Sequence, residues 1–244
     1  MGNSTTFDWF QLDRNTLFDI LYSSSDRIVN KKLTVDQLHS KLVNQIRKFL
    51  PLLKFKKIFD PKVTDGWVWV GGAYYSEYDE SDKKCIEINF NYHSSKKQIS
   101  LTPKRFSRLC VGFADTILHE IIHMRQHRRR NWKVLPNFPS TASRTKQREE
   151  QEYLGCRDEI DAYAFNIACE LNDKFNSQKT KILNHLNVDQ KSVRQRHSSY
   201  NMYLRAFGHD HNHDVIKKLK KKIVSYLPQA EVGKPYRSSE WINH

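Results

Sequence analysis

One uninterrupted stretch, from Thr102 to Arg130, does most to limit what this chain can fold into. Thr102 followed by Pro103 is a strong helix start, because the threonine oxygen caps exposed amides and proline at the first helical position forfeits no needed hydrogen bond. Phe106, Leu109, Cys110, Phe113, Ile117 and Ile121 then continue an apolar stripe, with no proline before Arg130. The spacing predicts a long, mostly buried helix, weakened or bent only at Gly112.

Within it lies His119-Glu120-Ile121-Ile122-His123. Residues four apart share a helix face, so both imidazoles can reach one ion while the glutamate approaches the ion's water from the side. The expected cofactor is Zn2+, held by His119 and His123, with Glu120 as the general base of a metal-dependent peptidase acting on a protein or peptide. Two histidines and a water leave such a site one protein ligand short. Glu159 is the best candidate, since small Ala162 nearby permits close packing against the metal-bearing helix. Asp158 and Asp161 are alternatives, either as the ligand or as acceptors for a ligand's other ring nitrogen. His127 lies one turn beyond His123, too far along the helix without a bend. Tyr200, Tyr203 and His209 are candidate donors to a developing oxyanion.

The His119 to His123 motif resembles that of the zincin metallopeptidases. The run Glu159-Ile160-Asp161-Ala162 is similar to the third-ligand helix of the gluzincin branch, including compact intracellular members of the phage-repressor-cleaving kind. The resemblance covers roughly Trp67 to Leu171. It implies that Glu159 is the third ligand and Glu120 the general base, with the strand near Ile86 to Tyr92 lining the substrate groove. Larger members often carry an aspartate four residues after the glutamate ligand to orient a metal-bound histidine, whereas this chain has Tyr163 there.

The remaining pattern predicts an α+β fold: a small antiparallel or mixed sheet against the two ligand-bearing helices, with further helices at both ends. Helices are expected over about 13–22, over a segment capped by Thr34 and ended by Pro51, over 149–171, 178–186 and 188–207, and through Val215, Leu219, Ile223 and Leu227. Trp67 to Val70 reads as a strand stopped by Gly71 and Gly72, and Ile86 to Tyr92 alternates as a half-buried strand. Tyr74 to Lys84 between them reads as a turn or a solvated edge. The expected organisation is an N-terminal helical region at 1–60, a zincin-like core at 61–175, a C-terminal helical region at 176–227 and an irregular tail at 228–244.

Forty-one Lys and Arg against 27 acidic residues give a net charge of +14, which favours polyanions and acidic protein surfaces. Arg125, Arg128, Arg129, Arg130 and Lys133 surround Trp132 directly after the motif, a candidate grip for DNA, RNA or an acidic protein. The competing expectation is therefore a basic nucleic-acid-binding or assembly protein with a structural or vestigial zinc site. Cys85, Cys110, Cys156 and Cys169 lack CxxC spacing and are expected as free thiols. Met1 to Phe10 does not resemble a signal peptide, and no run reaches the roughly 18 apolar residues of a membrane span. The expected location is intracellular, cytoplasmic or nucleic-acid-associated, without a membrane partner.

Overall fold

The computed structural model describes residues 12–51, 53–64, 66–81, 83–93, 98–133, 145–188 and 199–228. The irregular tail expected after 228 and much of the helix expected at 188–207 lie outside them. Ten helices and five strands occur among the described residues, an α+β fold. No described helix is long and apolar enough to cross a membrane, and the four cysteines are free. The chain divides into two compact units, Met1–Trp132 and Lys133–His244.

The first unit runs α1 (Arg14–Tyr22), α2 (Ser25–Ile28), β1 (Lys32–Leu33), α3 (Val35–Arg47), β2 (Leu53–Phe59), β3 (Val68–Tyr74), α4 (Ser76–Glu80), β4 (Ile86–Tyr92), β5 (Ile99–Ser100) and α5 (Pro103–Arg129). Asp13 caps α1 by accepting from the Thr16 amide. Thr34 opens α3 in a capping box with Gln37, the reciprocal bond pair that satisfies two otherwise orphaned amides. Thr102 and Pro103 start α5 as their chemistry requires, the threonine accepting from the Arg105 amide.

Three strands form one sheet in the order β2-β4-β3, with β2 parallel and β3 antiparallel to β4. Ile86, Ile88 and Phe90 of central β4 are fully buried, Phe90 meeting Phe113 of α5 and His39 of α3. Residues 53–59, expected within a helical region, thus complete the sheet as β2. Gly71 and Gly72, expected to stop β3, lie inside it and pair with Asn89 and Ile88; the strand continues because its partner residues run on in register to Ile86. The segment after β3 holds the short helix α4 rather than a plain turn, and it carries the buried Asp79.

Asp79 joins three elements. Its carboxylate accepts from Arg128 Nε at 2.8 Å and from Arg128 Nη2, from the Tyr74 hydroxyl at 3.0 Å and from Trp132 Nε1 at 3.3 Å. Burial works to raise its pKa, but these donors outweigh burial and hold the carboxyl below the usual carboxylate range. The same burial, with Asp79 alongside, pushes the Cys85 thiol up to about 11. Near its middle α5 is tied to α1 by Arg14, whose Nε and Nη2 reach Asp115 at 2.6 and 3.1 Å.

The second unit contains α6 (Lys146–Gly155), α7 (Arg157–Phe175), α8 (Lys179–Asn187), α9 (Ser199–Ala206) and α10 (Asp214–Tyr226). The single helix expected over 149–171 is two helices, because Cys156 is extended at φ −61°, ψ 138°. The core gathers Ile160, Ala164, Ile167, Tyr203, Leu219 and Ile223. Two of its buried polar groups bond to helix-end carbonyls: Tyr200 donates to the Leu186 carbonyl at 2.7 Å, and Asn172 to that of Leu227 at 3.0 Å.

Replacing Asp79 with Asn should lower unfolding free energy by about 2–3 kcal/mol at pH 7, since a buried charged acceptor and part of its bond set are lost. The folded carboxyl titrates below its unfolded value, so its contribution is complete above about pH 4 and is lost as pH falls through the folded pKa. Urea unfolding at several pH values should show parent and D79N converging in acid.

Candidate metal centre

His119 and His123 stand one turn apart on α5, with ring centroids 4.8 Å apart and planes at 79°. Their Nε2 atoms face one another at 3.1 Å. Two nitrogens bound at about 2.05 Å to one tetrahedral ion lie about 3.3 Å apart, so this spacing suits a shared cation. His119 is buried and His123 half-buried.

The tautomer of His123 follows from its other nitrogen. Nδ1 lies 2.9 Å from Gln126 Oε1; an amide oxygen only accepts, so this contact favours the neutral tautomer with its proton on Nδ1 and its lone pair on Nε2 over the opposite one. A metal-binding imidazole needs that state. Gln126 was not foreseen in the sequence, although its i+3 position on the same helix face is readable there.

Glu120 is buried, 6% exposed, and its side chain lies against Gly72 of β3. Glu159, 7% exposed, stands with Asp158 in the first turn of α7, where the helix dipole favours a carboxylate. His119 and His123, both in the first unit, present two ring nitrogens that could hold one metal ion together. Two imidazoles and a carboxylate are the donor set of an open zinc site.

Around Glu159 the second unit supplies hydroxyls. Tyr153 hydrogen-bonds with Glu159 and Tyr163; burial first, then these neighbours, pushes its ionisation far above the ordinary tyrosine range. Tyr203 is fully buried against Tyr163 and Phe207, its ionisation raised by burial and by the Glu159 charge. Tyr153 was another residue the sequence did not single out, since nothing in its spacing marks it.

Other expected residues are placed elsewhere. Asp161 accepts from Tyr226 at 3.0 Å and Lys222 at 2.8 Å, both on α10, so its carboxylate serves helix packing. The Tyr200 hydroxyl is bound to Leu186. His209 is left-handed at φ 59° in the turn after α9. The His127 ring packs edge-on against Tyr74 at 5.3 Å. In the basic cluster Arg128 and Trp132 are engaged by Asp79, Arg129 and Lys133 are exposed, and Arg125 and Arg130 are half-buried. Central β4 is paired on both sides, so it offers no backbone edge to a groove; among the described residues β3 is the edge strand beside α5.

Comparison with protein-family models, with curated proteins and with solved structures finds no match.

Replacing Gln126 with Leu removes the acceptor that sets the His123 tautomer. Zinc affinity should fall about 10- to 100-fold, read by competition with a chromophoric chelator, while Gln126→Glu should retain most of it.

Proposed function

We propose that the chain is a zinc-dependent peptidase with a zincin-like, gluzincin-type core, and that His119, His123 and Glu159 hold the ion. The observation that carries this reading is the pair of Nε2 atoms 3.1 Å apart on one helix face; the buried Glu159 carboxylate, in the first turn of α7, is the third ligand the proposal adds. When bound, zinc polarises the scissile carbonyl and acidifies a water molecule. Glu120, beside His119 on α5, takes the proton from the attacking water and delivers it to the leaving amine nitrogen. An extended substrate pairs with the free edge of β3, next to Glu120, by main-chain hydrogen bonds. Tyr153, through its hydrogen bond, keeps the Glu159 carboxylate oriented.

A basic nucleic-acid or acidic-protein binder with a structural zinc site is the second reading, favoured by the net charge of +14. It predicts salt-sensitive binding that survives Glu120→Gln.

Tag-free protein should contain one zinc per chain and cleave peptide substrates. His123→Ala should lose the metal. Glu120→Gln should retain it while kcat/KM falls about 100- to 10,000-fold. Metal-free protein from a chelator-free purification, unable to take up zinc, would sink the proposal.

A further inference from the structure

The two adjacent glycines of β3 differ sharply in what surrounds them. A Cβ built on Gly71 would lie 3.5 Å from Asn91 Nδ2 and 4.0 Å from Asn89 Cβ, ordinary contacts on the face turned away from α5. A Cβ on Gly72 would lie 2.7 Å from Glu120 Oε1, 2.8 Å from Glu120 Cγ and 2.8 Å from Thr116 Cγ2. Real side chains do not make such contacts, so Glu120 or the strand would have to move.

Neither neighbouring residue, nor the strand itself, can yield cheaply. Thr116 donates its hydroxyl to the Gly112 carbonyl at 2.8 Å, which fixes its methyl toward the strand. Glu120 is buried on the stretch of helix between two ion pairs, Arg14–Asp115 at the middle of α5 and Arg128–Asp79 near its C-terminal end. Gly72 is fixed in register by its pairing with Ile88. The missing side chain is therefore a slot, filled by the Glu120 carboxylate and walled by Thr116.

We propose that Gly72 is a positioning residue for Glu120: the absence of a Cβ there sets how closely the carboxylate approaches the β3 backbone. A carboxylate seated in the slot stands level with the strand edge, where a peptide carbonyl paired to β3 presents its carbon to attack. A methyl group in the slot pushes Oε1 away from that position while leaving both histidines in place. The proposal rests on Glu120 being the base, and its test separates the two.

The first arm is thermal and needs no activity. Gly72→Ala should lower Tm by about 5 °C, as overpacking does, while Gly71→Ala should shift it by less than about 2 °C. In a Thr116→Ser/Glu120→Ala background, which removes every atom that clashes, the Gly72→Ala penalty should shrink to the Gly71→Ala level. An unchanged penalty there, or equal behaviour of the two glycine variants in the parent, overturns the slot. If Gly72→Ala does not fold alone, recovery of folded protein in the relieved background supports the proposal and continued misfolding overturns it. The second arm is kinetic: Gly72→Ala should keep one zinc per chain and a KM within about twofold, with kcat reduced about 100-fold, the cost of misplacing a reacting group by about 1 Å. Equal kcat in both glycine variants overturns the positioning role. A parent that binds no zinc or cleaves no peptide defeats the peptidase reading, while the thermal arm still decides the slot.

Discussion

A glutamate and a histidine side by side in the middle of a buried helix require a wall made to receive them. His119 and Glu120 are 7% and 6% exposed, between fully buried Ile117 and Ile121. Polar groups so placed cost several kcal/mol unless each finds a partner. The helix resolves this by giving each direction a different surface: Phe106 and Phe113 toward aromatic residues of α1 and β4, Glu120 toward the bare backbone at Gly72, and the His119 ring toward His123. At 27 residues α5 is about 40 Å long, and arginine–aspartate pairs pin it on either side of the motif, at Asp115 in its middle and at Arg128 near its C-terminal end. The motif thus sits on a segment that cannot slide or roll.

The same pins account for part of the basic composition. Arg128 faces buried Asp79, Arg14 faces Asp115, and Lys54 and Lys56 converge on buried Glu87 at 3.4 and 2.8 Å. Each buried acid draws cations to itself, because a carboxylate removed from water needs charge-assisted donors. A cation assigned to such a pair is not available to grip a phosphate. The arginine cluster after the motif therefore divides, with Arg128 and Trp132 turned to the protein while Arg129 and Lys133 face solvent.

Periodic features were legible in the sequence because local rules decide them. The caps at Thr34 and Thr102, the apolar stripe of α5, the alternation of β4 and the helical spacing of the histidines all read correctly, as did α8 and α10. What was not legible depends on partners distant in the chain. β2 alternates weakly, with Lys54, Lys56 and Lys57 among its residues, and becomes a strand only by pairing with β4. Gly71 and Gly72 carry a local stop signal that strand pairing overrides. Asp79 looks like one more acid in a polar turn until Arg128, 49 positions later, reaches it. The break at Cys156 follows Gly155 but has no proline to announce it, and it alone puts Glu159 in a first helical turn.

The departure at Tyr163 becomes intelligible once Gln126 is considered. Where an aspartate four residues after the glutamate ligand orients a histidine, it does so by accepting the ring's other N–H. On the proposed reading, Gln126 takes that part from within α5 itself, its Oε1 lying 2.9 Å from His123 Nδ1. Position 163 is then released to a tyrosine that packs edge-on against Tyr203 at 5.6 Å and shares a hydrogen bond with Tyr153. A carboxylate at 163 would place a second negative charge beside Glu159 and raise the cost of burying both. The Tyr153 hydroxyl instead gives the buried Glu159 carboxylate a neutral hydrogen-bond partner. The acceptor beside His123, an amide of α5, and the partner of Glu159, a hydroxyl of α6, are thus both neutral groups.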